Sequence, residues 1–255
     1  VTPYWSRGAV MRRRGAAVSS KWFANGQSDV VSWFGAPCEE LYLPGKFTDG
    51  QSIVGEVAGN VLAPQVTPHW QQPLTGLAGD PLGVSFDAGT TDSFDAADAT
   101  VHDVSDTDTV AGFGVIFIGP LGMAAYRQWC GKYTSSPQGW VLYGTYVGGV
   151  QTLNCYVAVA GVGTGVSAAT VTALGLHAVG WAITPTTVRI YTELGAGNVA
   201  GRSGTKTTTT PFVLGQQAQP AFGGTVGPVA LFRGSSASTV IAGFEAGSIP
   251  AWWAA

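Results

Sequence analysis

The chain has 255 residues, a formal net charge of −3 and only 11% Asp, Glu, Lys and Arg, against roughly 25% in ordinary soluble domains. A net negative chain exerts no global pull on nucleic acid, and no apolar run reaches the ~18 residues of a membrane-spanning helix. The length supports a core large enough to need neither disulfides nor a structural metal.

The charges are segregated. Arg7, Arg12, Arg13, Arg14 and Lys21 lie near the N-terminus, while Asp80, Asp87, Asp92, Asp95, Asp98, Asp103, Asp106 and Asp108 fall in one later segment. A surface so poor in charge suits contact with other proteins.

Residues 1–36 read as an N-terminal docking arm. The segments 18–23 and 30–34 flank Asn25-Gly26, a tight-turn dipeptide, so a small hairpin or an arm ordered by a partner is expected. Trp5, Trp22 and Trp33 are too many large aromatics for a solvated tail. With Arg12, Arg13 and Arg14 they are the candidate partner-docking residues. For the arginine run, an acidic protein neighbour or simple solvation outweighs a grip on nucleic acid.

From Pro37 to Gly83 the chain is punctuated by Pro44, Pro64, Pro68, Pro73 and Pro81, which fits short strands and loops and excludes long helices. Strands are then expected at 83–87, 92–95, 110–118, 123–130, 139–146, 151–160, 176–184, 187–193, 211–215 and 225–233. Phe113–Ile118 is apolar on both faces, as a mid-sheet strand should be. Val179, Trp181 and Ile183 alternate, Thr184-Pro185-Thr186-Thr187 breaks the run, and Val188 and Ile190 resume it, which specifies a half-buried hairpin. One helix is expected over Ser236–Ala246, with Ser238 as its cap and Gly247 and Pro250 as its stop. Residues 248–255 form an apolar tail. About ten short strands separated by turn signals define an all-β, two-sheet antiparallel sandwich over residues 37–247.

Catalytic patterns are not found. The glutamates Glu39, Glu40, Glu56, Glu193 and Glu245 give no period-2 pair of the kind a glycoside hydrolase places across a sugar. His69, His102 and His177 have no metal-ligand spacing, and Gly161–Gly165 lacks the lysine and the context of a phosphate loop. His177 is expected to pack or hydrogen-bond within the fold. Cys38, Cys130 and Cys155 are an odd count without CxxC spacing, and Cys155, on the face of Leu153 and Val157, reads as a buried thiol.

Two binding chemistries are left open. Asp92, Asp95, Asp98 and Asp103 can supply oxygen ligands to Ca²⁺ from Gly/Ala/Thr-rich loops, beside the plainer reading of a solvated acidic loop set. For a sugar, an aromatic platform with neighbouring amides is needed. Trp140 and Tyr146 share a face with Leu142 and read as core, whereas Tyr143 points the other way. Trp70, in a Pro-rich loop, is the second ligand candidate.

Residues of about 40–247 resemble the laminin-G-like, concanavalin A-like jelly-roll family. The likeness is carried by Val84-Ser-Phe-Asp-Ala-Gly-Thr-Thr-Asp-Ser-Phe94, the core strand Phe113–Pro120 and the hairpin start Gly139–Tyr143. It continues through Leu176–Tyr191, where the family's tryptophan is Leu176, to the closing segments Pro211–Gly215 and Gly227–Arg233 and the short helix Ser238–Gly247. The resemblance implies adhesion, glycan binding or particle architecture, in extracellular proteins or in virions of tailed phages. With an aromatic, basic arm and no signal-peptide pattern at the N-terminus, the expectation is a non-enzymatic structural or display module of a virion. Its expected partners are other virion proteins, and it is present as a homo-oligomer or in many copies. A lectin-like adhesin that recognises surface glycans is the alternative. No cofactor is expected beyond the weighed Ca²⁺.

Overall fold

The computed structural model describes residues 23, 25–46, 51–65, 71–73, 82–86, 93–118, 127–133, 139–147, 150–159, 162–171, 175–202, 209–215 and 223–254. Short strands open the chain: β1 (Glu40–Tyr42), β2 (Ile53–Val54), β3 (Val61–Pro64), β4 (Gln71–Pro73), β5 (Leu82–Phe86) and β6 (Ser93–Ala96). The long ones follow: β7 (Val110–Ile118), β8 (Arg127–Tyr133), β9 (Gly139–Val147), β10 (Val150–Val159), β11 (Val162–Val171), β12 (Gly175–Ile183) and β13 (Thr187–Thr192). The remainder are β14 (Gly195–Ala196), β15 (Ala200–Gly201), β16 (Phe212–Gly215) and β17 (Gly224–Arg233). Three helices complete the set, α1 (Gln27–Phe34), α2 (Gly234–Glu245) and α3 (Ser248–Ala254).

Among the described residues these strands form two antiparallel sheets. Sheet A has nine strands in the order β14-β13-β12-β7-β17-β5-β4, with β1 beside β17 and β15 beside β13; sheet B has eight, β11-β10-β9-β8-β16-β6-β3-β2. The architecture is the jelly-roll sandwich that the strand pattern implies. Its core is filled by alternate residues of the two inner faces, among them Trp129, Trp140 and Leu142 from sheet B and Ile116, Trp181 and Leu231 from sheet A. Trp181 is the pivot. Its ring stacks on Trp140 at 5.9 Å and meets Trp129 edge-on at 5.9 Å, and a Cβ at Gly112 on the neighbouring strand would stand 2.0 Å from its indole. A bare glycine at that register lets the largest side chain lie flat in a close-packed core.

The strand β7 has a second apolar face, and this explains its double-sided sequence. Ala111, Phe113 and Val115 join Ala178, Ala182, Tyr191, Ala230 and Phe232 in a separate cluster on the outside of sheet A. The three helices cover it with Val30 and Phe34 from α1, Ala237, Val240 and Phe244 from α2, and Ile249 from α3. Phe34 is the hub, 5.1 Å from Phe113, 5.3 Å from Phe232 and 6.3 Å from Phe244.

The N-terminal expectation is corrected here. Asn25-Gly26 opens a helix and not a hairpin, because Asp29 in its first turn accepts hydrogen bonds from the Asn25 backbone N–H (2.9 Å) and Nδ2 (3.0 Å). The arm boundary expected at residue 36 therefore cuts through the helical layer. Trp33, expected as a docking residue, lies half-buried on this layer, edge-on to Phe23 at 5.5 Å. The apolar tail is helix α3, and Ser238, expected as a cap, sits inside α2 with its hydroxyl on the Gly234 carbonyl. Trp5, Arg12, Arg13, Arg14 and Trp22 lie outside the described residues.

Replacing Phe34 with Ala should cost about 3–5 kcal/mol in urea unfolding. Val31→Ala, on the exposed side of the same helix, should stay within about 0.5 kcal/mol.

Candidate functional site

The described helices cover the outer face of sheet A and leave the outer face of sheet B. Its composition follows from the alternation in β9 and β10. Trp140, Leu142, Leu153, Cys155 and Val157 point into the core, so Val141, Tyr143, Thr145, Thr152, Asn154 and Tyr156 point out. The register then assembles rows. Gln128, Tyr143, Asn154 and Ala168 lie side by side across β8 to β11, and Gly131, Val141, Tyr156 and Val166 form the next row. A third row begins with Tyr133 opposite Gly139.

Tyr133, Tyr143 and Tyr156 are half-buried and Val166 is exposed. The rings of Tyr133 and Tyr156 meet edge-on at 5.7 Å. Burial, with Tyr156 beside it, pushes the Tyr133 phenol up to about 12, so it is a neutral hydrogen-bonding group at any ordinary pH. Asn154 is oriented through Nδ2 by the Thr152 hydroxyl (3.2 Å), which in turn meets the Thr145 hydroxyl at 2.7 Å. Asn154 is buried, with Gln128 and Val141 of the same rows, so the parts of this face that can stack on, and hydrogen-bond to, a flat polar ligand are the half-exposed tyrosine rings and the Thr145 and Thr152 hydroxyls.

The second row continues through Val213 to Asp95 on β6, four strand spacings or about 19 Å from Tyr156. Burial raises the Asp95 carboxyl above its usual range, against the effect of a hydrogen bond from Ser93. Its Oδ1 is buried without a hydrogen-bond partner.

The acidic segment takes a different form from the one expected for Ca²⁺. Lys132 points inward from β8, 1% exposed, and its ammonium bridges Asp98 and Asp103. Arg233 pairs with Asp108 at 2.8 Å and donates to the Asp103 carbonyl, while Arg202 donates to the Ser105 carbonyl. Burial alone would raise Asp108, but hydrogen bonds from Ser105 together with Arg233 hold it below the usual carboxylate range.

The same segment is pinned by Trp140, whose Nε1 donates to the His102 carbonyl at 2.9 Å. It is also pinned by Tyr42, whose hydroxyl lies 2.8 Å from His102 Nε2. The His102 ring stacks on Phe212 at 4.4 Å, and its burial, with Lys132 nearby, lowers its pKa to about 3. Two of the four expected calcium ligands are thus engaged by a side-chain cation, and Asp95 faces the other side of its sheet. Asp92, like the ligand candidate Trp70, lies outside the described residues. Among the described residues no group of three or more His, Cys, Asp or Glu could hold a metal ion.

The glutamates serve the fold. Glu40 is buried and accepts hydrogen bonds from the N–H groups of Leu41, Val57, Ala58 and Asn60 and from Asn60 Nδ2. Glu193 is buried against His177 Nδ1 at 2.7 Å, which gives that histidine the hydrogen-bonding place expected for it. Glu56 pairs with Lys46, and Glu245 with Arg189. All three cysteines are buried free thiols.

Of the sequence candidates, Tyr143 stands on the outer face of sheet B. Tyr146, expected in the core, is 48% exposed because it lies beyond the core at the tip of the β9–β10 hairpin. Tyr133, Gln128, Asn154 and Tyr156 were not anticipated. The alternation Thr152, Asn154, Tyr156 against Leu153, Cys155, Val157 carried the signal for β10.

No protein-family model matches the chain, and no curated protein matches its sequence. The binding domain of Paraclostridial Mosquitocidal Protein 1 is similar in structure, with a TM-score of 0.55 at 8% identity over 82% of this chain and 52% of that one. The receptor binding domain of botulinum neurotoxin mosaic serotype C/D gives 0.53 at 8% over 82% and 51%. Domain 4 of AbnA, a GH43 extracellular arabinanase from Geobacillus stearothermophilus, gives 0.49 at 9% over 81% and 98%. The chain spans about half the length of the first two. At such identities the likeness is one of fold alone, the two-sheet jelly-roll sandwich.

Lys132→Met should lower stability by about 1.5–3 kcal/mol, the worth of hydrogen bonds to charged groups. If Lys132 stands where a rim cation would act, neither Ca²⁺ nor a chelator should move the wild-type Tm in differential scanning calorimetry. A Ca²⁺-dependent rise of several degrees would restore the metal reading.

Proposed function

We propose that the chain is a lectin-like recognition module, binding a glycan without catalysis on the outer face of sheet B. The observation that carries this reading is the face itself: Tyr133, Tyr143 and Tyr156 are half-exposed beside the Thr145 and Thr152 hydroxyls, over the buried Asn154, on the sheet that the described helices leave uncovered. Sugar rings offer apolar C–H faces to aromatic rings and hydroxyls to the hydroxyls of Tyr and Thr, so this combination suits them.

Two of the fold neighbours are binding domains, one of them receptor-binding, which supports recognition as a use of this scaffold. Binding without chemistry accords with the carboxylates. Glu40, Glu56, Glu193 and Glu245 are each engaged in hydrogen bonds or ion pairs of the fold, and Asp95 has no second carboxylate in its row. The particle-component expectation drew on Trp5, Arg12, Arg13, Arg14 and Trp22, and no observation on the described residues favours it.

Tyr143→Ala and Tyr156→Ala should each weaken binding of a glycan selected from a broad array by about tenfold or more, with stacking worth about 1–2 kcal/mol per ring. Circular dichroism should show both variants folded. Unchanged affinity in both would move the site off this face.

A further inference from the structure

An acidic glycan, whether sialylated, uronate-containing or sulfated, brings an anion whose strongest side-chain partner is a cation, through a charge-assisted hydrogen bond. The described part of the face offers no such cation. From Tyr133 to Val188, a stretch that includes β9 through β12 and their connections, the chain contains no Asp, Glu, Lys or Arg.

The two cations of β8 are turned away from this face. Lys132 lies inward between Asp98 and Asp103. Arg127 occupies the inward row opposite Gly144, with its Nε buried. Arg202 and Arg233 are engaged with the acidic segment at one end of the sandwich, and Arg189 pairs with Glu245 of the helical layer. Among the described residues the carboxyl that shares the rows of this face is Asp95, and any negative charge it carries repels an anion.

Resting on the glycan reading above, we infer that the module selects neutral saccharides and discriminates against the acidic derivatives of the same chains. Recognition then depends on stacking and on hydrogen bonds between neutral partners, which salt screens little.

The test uses the intact chain and matched oligosaccharides, each neutral chain beside its sialylated and its sulfated derivative, titrated calorimetrically in low and high NaCl. The expected result is binding of neutral members, constant within about twofold between the two salt concentrations, and derivatives at least about tenfold weaker. Derivatives that bind as tightly as the neutral chains, or more tightly with an affinity that falls as salt rises, would overturn the selectivity and leave the glycan site standing. Absence of binding by every member, neutral and acidic, contradicts the glycan reading itself, and the selectivity falls with it.

Discussion

Sheet A is apolar on both faces, and the arrangement of the molecule follows from the need to keep both faces from water. Ile116 and Trp181 look one way and Phe113 and Phe232 the other. Each face buries large side chains whose transfer from water is worth on the order of 1.5–3 kcal/mol apiece. Sheet B covers the first face and α1, α2 and α3 cover the second. Among the described residues the result has three layers, helices, sheet A and sheet B, and the described helices all lie on sheet A.

The second organising feature is charge scarcity. With 11% charged residues, the chain concentrates its acids in the segment that closes one end of the sandwich and meets them with Lys132, Arg202 and Arg233. A side-chain cation does there what a bound metal ion does in other acidic loops. It neutralises carboxylates and ties the loop to the strands. Strands β9 and β10 are left uncharged, so a ligand held on their outer surface would be held by shape, stacking and neutral hydrogen bonds.

The sandwich was legible because its signal is local. The alternation through Val179, Trp181 and Ile183, the resumption at Val188, and the double-sided run at Phe113–Ile118 each report burial directly. Strand β11 was missed for the opposite reason. Gly163, Gly165, Ala168 and Ala169 give no alternation, and the strand is held from both sides by others. On one side β10 pairs along its length; on the other Asn198 bonds its free edge through Ala168 N–H at 2.7 Å and the Val166 carbonyl. Helix α1 was misread because Asn25-Gly26 serves a hairpin and a helix start equally well, and the deciding contact, Phe34 on Phe113 and Phe232, is distant in sequence. The same holds for the acidic segment. Four aspartates suggest a metal until a lysine from another strand is found between two of them.

The central claim is that the outer face of sheet B is the recognition surface. Its most direct test is chemical-shift mapping of the labelled protein during titration with a bound oligosaccharide. The account predicts perturbations concentrated at Tyr133, Tyr143, Asn154 and Tyr156, with the helical residues Val30, Val240 and Phe244 unchanged. Perturbations centred on the helical layer or confined to one end of the sandwich, with the tyrosines silent, would contradict it.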